Sequence, residues 1–257
     1  MIFAVRWFNR RTLNDHTFDP QFQVMNAVIT GASKGIGKAI AEGFAALGYG
    51  LFVCSRNQVA LYKTVEELYL QFPNIHIKAL PVDLSTKQGC KEFTDMILAT
   101  GESVDVLVNN AGSYVSGSVY NEPDGHLEEM INTNLYSAYH VTRALIGNMI
   151  EQKKGHIFNL CSIASIAAYH NGGSYSISKY AMLGFGKNLR EEMKPFGIKV
   201  TNLMPGAVYT DSWAGSGVDP KRIMDENDVA KLVVQITQLS DAACVEDIIM
   251  RPQTGDL

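Results

Sequence analysis

Hydrophobic residues follow two alternating patterns from Met25 to the C-terminus. Short runs rich in β-branched and aromatic residues alternate with longer stretches in which apolar positions return every three or four residues. The first pattern is typical of buried strands, and the second of amphipathic helices. Their alternation predicts βαβ units. We therefore expect one α/β domain, built on a doubly wound parallel sheet of about seven strands with helices on both faces.

The boundaries of these elements follow from the same patterns. The predicted strands are residues 27–30, 51–54, 75–80, 104–108, 156–160, 199–203 and 245–250. The predicted helices are residues 35–47, 59–72, 86–99, 127–150, 174–193 and 226–238. Gly48, Pro73 and Gly101 follow three of these helices and are typical helix stops. Ligands of parallel sheets bind beyond the carboxyl ends of the strands, so the residues after each strand should carry the function.

Residues 1–24 do not fit this alternation. They contain Arg6, Arg10 and Arg11 beside Trp7 and Phe8, without the apolar core and the small-residue cleavage site of a signal peptide. Met25 directly precedes the first predicted strand. We expect residues 1–24 to be a loosely held extension, or Met25 to be the natural start, and residues 25–257 to form the domain.

Composition limits the possible partners. The 257 residues carry a formal net charge of −4, with a pI near 5.9. A nucleic-acid-binding protein would want a basic face, so we expect no such partner. No apolar run approaches the roughly 18 residues of a membrane span, so a cytoplasmic protein is expected. The cysteines lie far apart and without metal spacing, so we expect free thiols and no metal site: Cys54, Cys90, Cys161 and Cys244.

A glycine-rich turn lies between the first predicted strand and the first helix. Gly31, Gly35 and Gly37 allow the backbone to approach a pyrophosphate, and the helix N-terminus behind them offers amide donors and a positive dipole. The turn departs from a Walker A loop, because Ala39 follows Lys38. Its candidate cofactor contacts are Gly31, Ser33, Lys34, Gly35, Ile36 and Gly37.

The end of the second strand indicates which dinucleotide binds. An acid at this position would accept the ribose 2′-OH of NAD. Here Ser55 and Arg56 follow Cys54, and no acid is present. Arg56 and Lys34 suit a 2′-phosphate, to which Ser55 can also donate. The sequence therefore favours NADP(H).

Two further strand ends provide candidate cofactor contacts. Asp83 and Leu84 follow the third strand, where Asp83 can accept a hydrogen bond from the adenine amino group. Asn110, Ala111 and Gly112 follow the fourth strand, where small residues let the cofactor lie against the backbone.

Tyr175 and Lys179 provide the candidate chemistry. Four residues apart on a predicted helix, their side chains share one face. A lysine ammonium beside a phenol favours the phenolate, so the tyrosine can act as an acid or base closer to neutral pH. Together with the glycine turn, this pair predicts redox chemistry at a carbonyl or an alcohol.

From about Met25 to the C-terminus, the chain resembles the short-chain dehydrogenase/reductase family. The resemblance rests on TGASKGIG at 30–37, NNAG at 109–112, YSISK at 175–179 and PGAVYT at 205–210.

The resemblance implies a Rossmann fold and a catalytic tetrad. In that tetrad, Tyr175 is the acid/base, Lys179 holds the nicotinamide ribose, Ser162 polarises the substrate oxygen and Asn134 supports a water relay. Asn132 is a weaker candidate for the last role. The resemblance also implies a nicotinamide-side wall of Pro205, Gly206, Val208 and Thr210.

The resemblance leaves the substrate open. The C-terminal half is similar to bacterial sepiapterin reductases, which reduce the side-chain ketone of a pterin, and Asp256 is a candidate contact of the pterin ring. Tyr114, Tyr169 and Trp213 follow strand ends and are candidates for an aromatic pocket, under a loop at 211–225.

The alternatives to a pterin reductase are a 3-oxoacyl-[acyl-carrier-protein] or other thioester reductase, a general ketone reductase, and a non-catalytic NADP(H)-binding regulator. Related enzymes form homodimers or homotetramers, and the same is expected here.

Overall fold

The alternating pattern folds into a central sheet in a computed structural model that describes residues 24–210, 213 and 217–256. The strands are β1 (Asn26–Thr30), β2 (Gly50–Ser55), β3 (Ile77–Pro81), β4 (Val106–Asn109), β5 (Gly155–Leu160), β6 (Ile198–Pro205), β7 (Val208–Tyr209), β8 (Met224–Asp225) and β9 (Asp247–Met250). The helices are α1 (Gly35–Ala46), α2 (Gln58–Gln71), α3 (Lys87–Leu98), α4 (His126–Ile131), α5 (Ser137–Gln152), α6 (Gly173–Met193) and α7 (Glu226–Thr237). The expectations for residues 1–23 and for most of 211–216 lie outside the described residues.

Seven parallel strands form the main sheet in the order β3-β2-β1-β4-β5-β6-β9. The chain builds outward from β1 in one direction as far as β3 and then crosses to β4 on the other side. This reversal creates a crevice beyond the carboxyl ends of β1 and β4, where open α/β sheets bind their ligands. The predicted fold class is confirmed.

Two apolar layers cover the faces of the sheet. On one face, α1, α2 and α7 bury Phe44, Leu61 and Val233 against the strands. On the other, α3, α5 and α6 contribute side chains such as Phe93 and Leu145. Helices on both faces are the arrangement that a sheet buried on both sides requires. Among the helices that the structure describes, none is long and apolar enough to cross a membrane.

The structure differs from the predicted elements at two places. The single helix predicted over 127–150 is divided into α4 and α5 by a π-helical turn at Asn132–Tyr136. Such a turn inserts an extra residue into the helix and leaves the apolar periodicity on either side intact, so the pattern hides it. The predicted loop over 211–225 also contains structure, because β7 and β8 pair with each other and a 3₁₀ turn spans Pro220–Arg222.

A row of polar side chains crosses the sheet in register, with three buried asparagines and an exposed aspartate at its end. Asn109 Nδ2 donates to Asn159 Oδ1 at 3.0 Å, Asn159 Nδ2 to Asn202 Oδ1 at 3.0 Å, and Asn202 Nδ2 to Asp247 Oδ1 at 3.0 Å. These residues are direct partners across β4, β5, β6 and β9. Gly186 of α6 covers the row, since a Cβ added there would lie 1.8 Å from Asn202 Oδ1. These hydrogen bonds satisfy the amides of Asn159 and Asn202, which would otherwise be costly to bury, whereas Asn109 Oδ1 has no partner in the described part of the chain.

Candidate active site

The turns after β1 and β4 are joined by the hydroxyl of Thr30. Thr30 Oγ1 accepts hydrogen bonds from the amides of Asn110 at 3.0 Å and Ala111 at 2.9 Å. In return, Asn110 Nδ2 donates to the carbonyls of Thr30 at 2.8 Å and Gly31 at 3.1 Å. The glycine turn and the NNAG turn, predicted separately to contact a dinucleotide, therefore form one surface at the crevice of the sheet.

Backbone geometry explains the glycines of this turn. Gly31 and Gly35 have φ of 70° and 58°, in the left-handed region that favours glycine. Gly37 is required by packing instead, because a Cβ there would lie 2.4 Å from both Asn110 Nδ2 and the Gly31 carbonyl oxygen. Ile36, beside it in the first turn of α1, packs against the apolar layer formed by α1, α2 and α7.

The candidate 2′-phosphate site lies where the glycine turn meets the end of β2. Ser33 Oγ and Ser55 Oγ are hydrogen-bonded at 2.7 Å. Lys34 and Arg56, the next residue in each segment, are both exposed at this edge. Two cations and two hydroxyls therefore share one surface, and a phosphate would satisfy this combination.

The adenine-side candidates lie at the end of β3. Asp83 is exposed, and its carboxylate accepts a hydrogen bond from the Ser85 amide at 3.0 Å. Leu84 is buried in the apolar layer beneath it, and its carbonyl accepts from the Cys90 thiol at 3.2 Å. Asp83 is therefore presented to a ligand, whereas Leu84 is anchored in the core.

Tyr175 and Lys179 lie on one face of α6, as their spacing predicts. The Lys179 ammonium is 5.8 Å from the centroid of the Tyr175 ring and donates to the Leu160 carbonyl at 2.7 Å. Lys179 is only 7% exposed. A buried charge needs a partner, and the carbonyl at the end of β5 supplies one. Lys179 is thus fixed between the sheet and the tyrosine.

Ser162 follows β5 and caps a short 3₁₀ helix, Ile163–Ser165. Its Oγ accepts a hydrogen bond from the Ala164 amide at 3.2 Å, and its own amide donates to Ser165 Oγ at 3.2 Å. A serine hydroxyl has one donor and two acceptor sites. The capping bond uses an acceptor site, so the O–H of Ser162 remains able to donate.

Asn134 lies in the π-helical turn and is 1% exposed. Its Nδ2 donates to the Ser113 carbonyl at 3.1 Å and to Ser178 Oγ at 2.9 Å, and its Oδ1 accepts from the Ser113 amide at 2.8 Å. A Cβ added at Gly112 would lie 3.1 Å from Asn134 Oδ1 and 3.7 Å from Lys179 Nζ. Asn134 and Lys179 therefore both face Gly112. Asn132, the weaker candidate for the same role, is only half-buried.

The segment after β6 returns to the glycine turn. Pro205 ends β6, the Gly206 amide donates to the Met250 carbonyl at 2.7 Å, and Val208 pairs with Met224. A Cβ added at Gly35 would lie 3.3 Å from Thr210 Cγ2. The predicted nicotinamide-side wall and the predicted pyrophosphate turn are therefore neighbours in space.

A sequence model of the family described as short chain dehydrogenase matches residues 25–220. The chain belongs to the short-chain dehydrogenase family. Its members are oxidoreductases that interconvert alcohols and carbonyl compounds, and this chain is an enzyme of that type.

Individual members of the short-chain dehydrogenase family resemble the chain over nearly its whole length. A sepiapterin reductase of Chlorobaculum tepidum is 31% identical over 238 residues, which cover 90% of this chain and 97% of the relative. An alcohol dehydrogenase of the archaeon Thermococcus sibiricus, solved with 5-hydroxy-NADP, superposes with a TM-score of 0.82 at 28% identity, covering 90% of this chain and 97% of that one. A metagenomic short-chain oxidoreductase solved with NADP has a TM-score of 0.76 at 28% identity, covering 89% and 97%.

Tyrosine side chains lie around Tyr175 in the candidate site. The Tyr114 ring meets the Tyr175 ring edge-on, with centroids 4.9 Å apart. Burial, followed by the proximity of Tyr114 and Tyr175, raises the pKa of Tyr169. Tyr114 and Tyr169, two of the three candidates for an aromatic pocket, therefore lie near Tyr175. The Trp213 amide donates to the Thr210 carbonyl at 2.9 Å.

The C-terminal tail packs against the nicotinamide-side turn. A Cβ added at Gly206 would lie 2.8 Å from Asp256 Oδ1, and the Asp256 carboxylate is paired with Arg251 at 2.9 Å. Arg222 donates to the carbonyls of Gly255 at 2.9 Å and Asp256 at 3.1 Å. The tail is thereby held beside Pro205 and Gly206.

Sequence reasoning missed two residues that shape this site. Ser178 is not among the predicted site residues, but it accepts a hydrogen bond from Asn134 at 2.9 Å. Glu122 was not singled out at all, and it accepts hydrogen bonds from the first turn of α6. The one available signal for Ser178 was its place beside Lys179. Glu122 lies in a segment without periodicity, so no local pattern identifies it.

Proposed function

We propose that this enzyme uses NADPH to reduce a ketone on a flat substrate, with Tyr175 as the acid and a pterin side-chain ketone, as in sepiapterin, as the favoured example. The observation that carries the proposal is the place of Lys179, which lies beside the Tyr175 ring and binds the carbonyl of Leu160 at the end of β5, two residues before Ser162. The family membership fixes the reaction class, and the proposal extends it to residues and substrate.

NADP(H) is the cofactor of this chain. The Thermococcus sibiricus dehydrogenase and the metagenomic oxidoreductase were both solved with NADP or a derivative of it. The residues present fit this group. The first turn of α1 has no acidic residue, and no side-chain hydrogen bond caps it at Lys34 within the described part of the chain. Its amides therefore suit a pyrophosphate, while Arg56 and Ser55 suit the 2′-phosphate.

The proposed chemistry divides between cofactor and protein. When bound, NADPH supplies the hydride. Ser162 and Tyr175 donate hydrogen bonds to the carbonyl oxygen, where negative charge develops. Tyr175 gives its phenolic proton to that oxygen, which completes the alcohol, and the Lys179 ammonium stabilises the phenolate that remains. A proton then returns to Tyr175 from solvent past Lys179 and Asn134.

The pterin assignment rests on two observations. Tyr114 and Tyr169 border Tyr175 with aromatic rings, and such walls suit a planar bicyclic ligand. In addition, the sepiapterin reductase of Chlorobaculum tepidum is 31% identical over 97% of its length. Asp256, held beside Gly206, is the proposed partner of the pterin amino group.

Two alternatives have less support. A 3-oxoacyl thioester reductase would need a basic surface for its carrier protein, and the guanidinium of Arg143 instead lies over the ring of Tyr139, 5.3 Å from its centroid. A general ketone reductase would share the whole site and differ only in the pocket. A binding-only regulator would have no need for the Ser162, Tyr175 and Lys179 arrangement.

We also propose that the enzyme is a homodimer or homotetramer. Exposed apolar side chains on the helices before and after β5 support this, notably Tyr136 at 47% and Tyr180 at 46%. Ile249 of the edge strand β9 is 57% exposed. Light scattering on the purified protein would give the mass directly, and a monomer would contradict the proposal.

The test of the proposed function is NADPH oxidation in the presence of sepiapterin, with NADH as the control at equal protein concentration. Turnover with NADPH and much slower turnover with NADH is the expected result. NADPH binding without turnover of sepiapterin, but with turnover of 3-oxoacyl thioesters or simple ketones, would replace the pterin assignment. Binding without turnover of any carbonyl compound would favour the regulator.

A further inference from the structure

One carboxylate joins the segment after β4 to the start of the helix that carries Tyr175. Glu122 Oε1 accepts a hydrogen bond from Ser174 Oγ at 2.5 Å, and Oε2 accepts from the Ser174 amide at 3.2 Å. Ser174 directly precedes Tyr175 in the first turn of α6. The two partners are 52 residues apart in the chain, so this contact exists only in the folded protein.

This carboxylate supplies a cap that the local sequence lacks. The residue at the N-cap of α6 is Gly172, which has no side chain, and the first turn of α6 contains no acidic residue. The first amides of a helix have no partner within the helix, and the dipole there favours an anion. The hydrogen bonds from Ser174, first its hydroxyl and then its amide, lower the pKa of Glu122, with His126 also contributing. Glu122 is therefore ionised near neutral pH.

The surrounding backbone makes room for this contact. A Cβ added at Gly173 would lie 2.7 Å from Glu122 Oε2 and 2.3 Å from the Gly117 carbonyl oxygen. The Gly117 amide donates to the Asn171 carbonyl at 3.2 Å, which joins the same two segments a second time. Asn171 itself has φ of 59°, which few non-glycine residues adopt. Two glycines and one left-handed asparagine thus bring the segments together around the carboxylate.

We propose that Glu122 is a positioning residue that sets the place of Tyr175. It fixes the first turn of α6 against the segment that carries Tyr114, whose ring contacts the Tyr175 ring. We call these two hydrogen bonds between Glu122 and Ser174 the clamp. Without the clamp, the first turn of α6 moves relative to Ser162, and the phenolic proton of Tyr175 no longer points at the carbonyl oxygen of the substrate. This inference rests on the proposed function, since it acts through Tyr175.

The test compares Glu122→Ala, Glu122→Gln and the control Asp124→Ala, which removes an exposed acid from the same segment. A misplacement of about 1 Å can cost about 100-fold in rate, so we expect kcat of Glu122→Ala to fall about 10- to 100-fold. Its NADPH dissociation constant should stay near that of the wild type, because Glu122 binds Ser174 of α6 and not the glycine turn. Glu122→Gln should recover most of the activity, because its amide oxygen still accepts from the Ser174 amide.

A parallel loss of NADPH affinity and kcat in Glu122→Ala would overturn the inference, because it would indicate a general structural defect. Unchanged kcat in Glu122→Ala, or no recovery in Glu122→Gln, would also overturn it. If the wild type itself turns over no carbonyl compound, the proposed function fails, and hydrogen exchange then tests the clamp. Faster exchange of the amides at 174–177 in Glu122→Ala than in Asp124→Ala would support the clamp, and equal exchange would overturn it.

Discussion

Asn134 donates a hydrogen bond to the hydroxyl of Ser178 at 2.9 Å, and this bond joins the π-helical turn to the helix that carries Tyr175 and Lys179. Ser178 Oγ in turn donates to the Tyr175 carbonyl at 2.7 Å. Asn134 is therefore held by its neighbours on both sides, with its carbonyl oxygen directed toward Gly112 and the face of Lys179.

Replacing Asn134 should slow the chemical step. In Asn134→Ala, the proposed return route for the proton past Lys179 is broken, and proton transfer by positioned groups contributes about 100-fold or more to catalysis. We expect a fall in kcat of about 10- to 100-fold with little change in NADPH affinity. Asn132→Ala, in the same π-helical turn, is the matched control for steady-state kinetics. Equal losses in the two variants would contradict the role of Asn134.

Removing Arg56 should weaken NADPH binding and spare NADH. A hydrogen bond to a charged group contributes about 1.5–3 kcal/mol, so Arg56→Ala should raise the NADPH dissociation constant about 10- to 100-fold. NADH has no 2′-phosphate, and its affinity should not change. Fluorescence titration measures both constants, with Lys63→Ala as the control because its side chain is 75% exposed on α2. Parallel losses for both cofactors would contradict the phosphate assignment.

Gly186, which covers the row of polar side chains across the sheet, should tolerate no side chain. A Cβ at Gly186 would meet Asn202 Oδ1, which is held in place by Asn159, so it must displace the row. Overpacking of this kind costs about 1–3 kcal/mol of unfolding free energy. Gly184→Ala is the control on the same helix, since nothing lies within 4 Å of its added Cβ. There we expect a gain of up to about 1 kcal/mol. Urea denaturation measures both, and equal stabilities would contradict the packing argument.

Contacts between side chains of different elements, such as those of Ser178 and Gly186, could not be predicted from the sequence. The strand and helix patterns identified every strand of the main sheet, because these patterns are local: the strands are short apolar runs, and each helix has one apolar face. The glycine turn, Tyr175 and Lys179 were also recognisable, since their spacing alone implies shared geometry. Ser178 and Gly186 were not, because their roles depend on side chains from other elements that meet only in the fold. The π-helical turn at Asn132–Tyr136 was missed for a related reason, since an inserted residue preserves the apolar pattern on each side.

A buried histidine should make stability depend on pH. His156 Nε2 is 2.8 Å from Thr201 Oγ1, and burial lowers the pKa of His156 from 6.5 to about 3. Because the folded pKa lies below the unfolded one, the unfolded state takes up the proton first as the pH falls. The contribution of His156 to the free energy of unfolding is thus complete above about pH 6.5 and is lost progressively toward pH 3. The loss between pH 6.5 and pH 5 is about 2 kcal/mol.

His156→Gln should flatten this dependence, because the amide can donate to Thr201 without titrating. Urea denaturation at pH 7 and pH 5 gives the slope of the unfolding free energy against pH. It is measured for the wild type, for His156→Gln and for His76→Gln, which replaces an exposed histidine. A slope in His156→Gln as steep as that of the other two proteins would show that the pH dependence has another source.

The central claim is that Tyr175 delivers the proton to the reduced carbonyl. It is tested most directly by NADPH oxidation with a carbonyl substrate in the wild type, Tyr175→Phe and Tyr180→Phe. Tyr180 is an exposed tyrosine on the same helix, so its variant controls for the loss of a phenol. We predict that Tyr175→Phe binds NADPH normally and loses nearly all turnover, while Tyr180→Phe remains active. Turnover by Tyr175→Phe close to that of the wild type would contradict the account.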